Sequence, residues 1–163
     1  MADMRQELAH LGNGAHALAI QILGNSDDAA DAVHDAFATV LARPSANYSG
    51  RGELRPWFLR VVRNRCIDLL RKRRPAGVSV DELASPGAAP DVTLESLQAG
   101  EQLQRALAGI RPEQRQIVVL RDYLDLSYAE IATVLDIAPG TVMSRLHRAR
   151  LALREILEQE NGE

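Results

Sequence analysis

The tightest constraint on this chain lies in its last third, LSYAEIATVLDIAPGTVMSRLHRARLALRE, Leu126 to Glu155, where apolar residues recur at helical spacing on both sides of a short break. Ser127 followed by Glu130 forms a capping box: the hydroxyl accepts from a free N–H at a helix start and the carboxylate reaches back. A short helix therefore begins at Ser127 and buries Ile131, Val134 and Leu135. Asp136 to Gly140 supplies the break, with Pro139 suited to a first helical turn and Gly140 to a close approach. The spacing then predicts a second helix from about Thr141 to Glu158, with Val142, Leu146, Ala149, Leu153 and Ile156 or Leu157 inward. Thr141, Ser144, Arg145 and Arg148 point the other way together. Hydroxyls and guanidinium groups so placed suit phosphates and base edges, which makes the pair of helices a candidate reader of duplex DNA.

The rest of the chain follows the same period. Aromatics are only 4% of the 163 residues, and no run of β-branched alternation interrupts the Ala, Leu and Arg spacing, so the expected fold is all-α. One cysteine, Cys66, excludes an internal disulfide framework and a Cys-x-x-Cys metal site. His10 and His16 are six apart and do not share a helical face, so no metal site is expected there. No apolar run approaches the length of a membrane span or a signal peptide, which makes the cytoplasm the expected address and membrane insertion unexpected.

The net charge of -3 hides a strong segregation. Between Arg51 and Arg74 lie nine basic residues against two acids, a local footprint for a polyanion. From Ala76 to Leu97 there are four acids, no basic residue, and Pro86, Gly87 and Pro90, which reads as a flexible acidic linker. Two small helical domains are therefore expected, residues 1–75 and 98–163, on either side of a tether at 76–97.

In the front domain, Glu7 to Leu23 is a helical pattern interrupted by Gly12 and Gly14. After Asn25 and Ser26, either of which can cap, a helix is expected from Asp27 to about Ala42, with Ala30, Val33, Phe37, Val40 and Leu41 inward. Its acids Asp27, Asp28 and Asp31 compensate the helix dipole and also form an acidic surface able to dock on a basic partner. A polar loop, Arg43 to Gly52, holds Asn47 and Tyr48. A third helix, Leu54 to about Arg73, places Phe58, Val62, Cys66 and Leu69 on one side and Trp57, Arg60, Asn64 and Arg71 on another. Such an aromatic, cationic and amide face suits single-stranded nucleic acid, with the indole stacking on a base; a core anchor is the other role open to Trp57. No phosphate loop, metal cluster or nucleophile–base constellation can be assembled, so neither an enzyme nor a cofactor is expected.

At this point the two halves resemble one family. DDAADAVHDAFATVLA followed by RPWFLRVVRNRCIDLLRKRR resembles region two of bacterial sigma factors, and LAGIRPEQRQIVVLRDYLDLSYAEIATVLDIAPGTVMSRLHRARLAL is similar to their region four. Order, linker and size match the extracytoplasmic-function (ECF) group, which keeps only those two domains. The resemblance implies a promoter-specificity subunit whose partners are core RNA polymerase, promoter DNA and an anti-sigma factor. It implies that Asp28, Asp31, Asp35 and Phe37 face the polymerase. It further implies that Asn47, Tyr48, Trp57, Arg60, Arg63, Asn64 and Arg71 hold the opened minus-ten strand, with Asn64 beside a flipped base. Thr141, Ser144, Arg145 and Arg148 would read the minus-thirty-five element as duplex. The family often carries a basic residue where Met143 stands and a glutamine where His34 stands, and its first helices are usually longer. A sigma-like decoy for an anti-sigma factor would be expected to lose these cations, and a free-standing helix-turn-helix regulator would not need the second nucleic-acid-like surface. In the uncomplexed chain, packing of the two domains on each other would hide their DNA faces.

Overall fold

The computed structural model describes residues 2–42, 54–73 and 94–162. The loop with Asn47 and Tyr48, and the linker apart from its last residues, lie outside them. Every regular element among the described residues is helical.

The front bundle comprises α1 (Ala2–Leu23), α2 (Ser26–Ala42) and α3 (Leu54–Arg73), each packed on the other two. Helix α1 runs unbroken through Gly12 and Gly14, contrary to the expected interruption. Two interior glycines cost a helix about 1 kcal/mol each relative to alanine. Burial of Leu8, Ala15, Leu18, Ala19 and Ile22 outweighs that cost. Gly24 ends α1 with φ of 74°, donating back to the Ile20 carbonyl at 2.8 Å, in a conformation glycine adopts without strain. Asn25 then caps α2 by accepting from the Asp28 N–H at 3.0 Å. The buried face of α2 is Ala29, Ala32, Val33, Ala36 and Val40, while Ala30 is exposed. The register is thus rotated toward the smaller side chains, because two helices close on α2 and alanines let them approach.

Helix α3 occupies the expected span, and Phe58, Val62 and Cys66 are fully buried; Leu70 rather than Leu69 completes the face. The Phe58 ring packs on Phe37 at 4.7 Å between centroids.

The rear half comprises α4 (Leu94–Ala108), α5 (Pro112–Val118), α6 (Tyr128–Leu135) and α7 (Pro139–Asn161). Helix α4 starts within the stretch read as linker. After α5 the chain widens into a π turn over Val119–Tyr123, closed by the Leu124 N–H on the Val119 carbonyl at 2.9 Å. The capping box forms as read: the Glu130 N–H meets Ser127 Oγ at 3.1 Å, and the Ser127 N–H meets Glu130 Oε1 at 2.9 Å. Asp136 turns the chain with φ of 56°, and Pro139 opens α7. Among the described residues Gly140 has no neighbour within 4 Å of where a Cβ would stand, so the close approach expected there is not found among them. Val142, Leu146 and Ala149 are the buried stripe of α7.

The halves share one hydrophobic core. α3 packs on α6, and α1 on α5 and the π turn. Leu124 seats so closely on Gly14 that a Cβ there would be 3.0 Å from Leu124 Cδ2. Arg115, only 3% exposed, donates to the Leu107 and Ile110 carbonyls at 3.4 and 3.0 Å and to the Gln21 carbonyl of α1 at 3.4 Å. It stitches the rear helices to the front bundle.

Candidate nucleic-acid interface

The second helix of the helix-turn-helix presents a polar face. Ser144, Arg145 and Arg148 are exposed and Thr141 is half-buried. The Ser144 hydroxyl donates to the Thr141 carbonyl at 3.1 Å, which orients its lone pairs outward as acceptors. Among the described residues neither Arg145 nor Arg148 has a carboxylate within ion-pair distance. Helix α7 is anchored elsewhere, by Arg150 forking onto both oxygens of Asp122. That bond raises the Arg150 pKa above its ordinary value, despite some burial.

The cationic helix α3 differs: it is turned partly toward the rear half. Asn64 and Arg71 are exposed, whereas Trp57, Arg60 and Arg63 are half-buried. Arg60 pairs with Asp136 at 3.6 Å, at the break of the helix-turn-helix. Arg63 Nε donates to Gln116 Oε1 at 2.7 Å. Arg55 reaches the Leu124 carbonyl and Glu130 Oε1, both at 3.3 Å. Burial lowers the Arg63 pKa; Asp136 opposes the shift, and Arg145 and Arg71 add to it. Burial also pushes the Glu130 carboxyl up, but the Ser127 N–H and the Arg55 guanidinium together hold it below the ordinary carboxylate value. The structure thus separates the two sets of site residues: Ser144, Arg145 and Arg148 are exposed, whereas of the described front residues Arg60 and Arg63 turn to the rear half and Asn64 and Arg71 stay exposed.

The acids of α2 are also partly engaged. Asp35 pairs with Arg65 at 3.1 Å and Asp28 with Arg73 at 2.9 Å, both across to α3. Asp31 is exposed. Phe37 is half-buried and lies against Phe58. Sequence reasoning passed over Gln116, Arg115 and the pairing of Arg55 with Glu130. Only Glu130 carried a local signal, its place in the capping box; the others become functional through contacts more than fifty residues apart in sequence.

No three His, Cys, Asp or Glu side chains among the described residues converge to hold a metal ion. None of the described helices is long and apolar enough to cross a membrane.

A cationic helix in a three-helix bundle, followed by a helix-turn-helix with an arginine-bearing second helix, defines a two-module, all-helical DNA-binding protein. Residues 8–76 match the family description "Sigma-70 region 2" and residues 100–153 match "Sigma-70, region 4". The chain is similar to the ECF RNA polymerase sigma factor SigE of Mycolicibacterium smegmatis, 33% identical over 153 residues, covering 91% of this chain and 59% of that protein's length. It is also similar to the ECF RNA polymerase sigma factor SigM of Mycobacterium tuberculosis, 34% identical over 142 residues, covering 87% of this chain and 70% of that protein. The co-crystal structure of the sigma factor RpoE with the anti-sigma factor NepR from Bartonella quintana superposes with a TM-score of 0.77 at 27% identity, covering 97% of this chain and 98% of that one. The chain belongs to the ECF group of the sigma-70 family of RNA polymerase sigma factors, transcription factors that are not enzymes.

Proposed function

We propose that this protein acts in the cytoplasm as a promoter-specificity subunit: it binds core RNA polymerase, opens the minus-ten element and reads the minus-thirty-five element. The observation that carries this reading is the exposed Ser144, Arg145 and Arg148, with half-buried Thr141 beside them, on the second helix of a capped helix-turn-helix, in one chain with the cationic helix α3. The rear helix lies in the major groove, its arginines taking guanine edges or phosphates. The front helix captures an unstacked base, Trp57 stacking and Asn64 hydrogen-bonding, which offsets an opening cost of a few kcal/mol. Asp31 and the neighbouring acids of α2 dock on the polymerase, and Asn47 and Tyr48 join the strand-holding surface. The retained arginines argue against a decoy that never touches promoters.

Because Arg60 and Arg63 are held by Asp136 and Gln116, strand capture requires the halves to separate. An anti-sigma factor that favours the closed arrangement silences the chain by the same occlusion, in keeping with the sigma and anti-sigma pair of the matching co-crystal structure. In-vitro transcription with core polymerase and a promoter library tests the reading. Asn64→Ala should relax preference at one minus-ten base by about 1–3 kcal/mol and leave polymerase binding intact, whereas Arg145→Ala should weaken the duplex contact alone. Failure to direct polymerase to any start site would refute it.

A further inference from the structure

Closure brings a front-half arginine to a surface built mainly by the rear half. Between them lies a cavity of about 450 Å³, lined by Arg63 from α3 and by Arg111, Glu113, Arg145 and Arg148 from the rear half, with Ile117 and Leu135 as apolar wall. Among the described residues its lining holds one carboxylate, Glu113, already paired with Arg111 at 3.1 Å. Arg63 has an amide as its hydrogen-bond partner, and Arg145 and Arg148 have no acid in reach among the described residues. Four arginines therefore border this space, Arg63 half-buried and Arg111, Arg145 and Arg148 exposed, with fewer carboxylates than cations among the described residues. Arg145 works against Arg63 where the halves meet and Asp136 offsets that repulsion, so a further negative group in this space would favour closure.

We infer that this interdomain cavity is a binding site for a small phosphate-chain ligand, whose occupancy holds the two halves closed. Guanidinium forks match phosphate oxygens in bidentate geometry, and several converging forks favour a compact multivalent anion over a single charge. The volume admits a nucleotide-sized molecule, and Ile117 and Leu135 offer contact for an apolar or planar remainder. An extended acidic peptide would leave most of its length outside so small a space. The same arginines serve promoter phosphates in the open form, so the ligand and DNA compete. The site itself does not depend on promoter recognition.

The test uses the full chain in metal-free buffer at fixed ionic strength, titrated calorimetrically with pyrophosphate and with ATP, alongside an interdomain distance distribution from paired spin labels. Saturable binding of pyrophosphate should accompany a narrowing toward the short distance. Arg63→Gln and Arg145→Gln, on opposite walls, should each weaken binding about tenfold, and Glu113→Gln should tighten it. Tighter binding of ATP than of pyrophosphate assigns a nucleotide; equal affinity assigns the free phosphate chain. The inference is overturned if sulfate at matched ionic strength has the same effect, or if Arg63→Gln leaves affinity unchanged, so that the site does not span the halves. Tighter binding of a hexaglutamate peptide than of pyrophosphate also overturns it, because the surface would then belong to an acidic protein partner.

Discussion

Replacing Gln116 by methionine should open the molecule. The side chain keeps its approximate volume, so the rear core stays filled, but the acceptor for Arg63 Nε is lost. Gln116 is 5% exposed, which leaves little room for water to substitute. Arg63 already bears the cost of burial, and Asp136 only partly offsets it. A hydrogen bond to a charged group contributes about 1.5–3 kcal/mol, and its loss is felt only in the closed form, because in the open form the guanidinium regains solvent. The closed-to-open ratio should therefore fall roughly ten- to hundredfold. Spin labels at Asp68→Cys on α3 and His147→Cys on α7, both exposed positions, would report it as growth of a long-distance population. If the distribution in Gln116→Met matches that of the parent pair, while the thermal midpoint also stays unchanged, the Arg63–Gln116 contact does not hold the halves together.

Three further outcomes follow from the same geometry. Glu130 is ionised more readily in the folded chain than in the unfolded one, so its contribution is fully present above the ordinary carboxylate value and is lost as pH falls through the lower folded value. The thermal midpoint should drop on acidification through that window, and Glu130→Gln should flatten this part of the profile; an identical profile in the variant would exclude the role. Burial pushes the Cys66 thiol up to about 12, so a thiol reagent at pH 8 should modify it only as fast as the front bundle unfolds. Reaction at the rate of free cysteine would contradict that burial. Gly12→Ala should stabilise the chain by about 1 kcal/mol in urea titration, since its Cβ would meet the Phe37 ring at an ordinary 3.7 Å. Gly14→Ala should gain less or lose, because Leu124 must move; equal gains would show that Leu124 yields freely.

The helices were legible in the sequence to a degree that tracks how local their determinants are. The capping box at Ser127 and Glu130, the span of α3, and the outward stripe Ser144, Arg145 and Arg148 all depend on residues within one or two turns of each other. Where the outcome depends on what packs alongside, structure and local pattern differ. Gly12 and Gly14 suggested a broken helix, yet α1 is continuous because its burial outweighs their cost. The helical spacing of α2 points Ala30 inward, yet it is exposed, since two close neighbours turn the small-residue face of α2 toward the core.

Charge behaved the same way. The sequence by itself determined an all-helical chain, its two nucleic-acid-like helices and its family, because periodicity, caps and motif order are written along the backbone. Only the tertiary structure decided that Arg55, Arg60 and Arg63 lie against Glu130, Asp136 and Gln116. Such partners are chosen by how whole helices dock, a three-dimensional fit between surfaces that no spacing along one strand of sequence encodes.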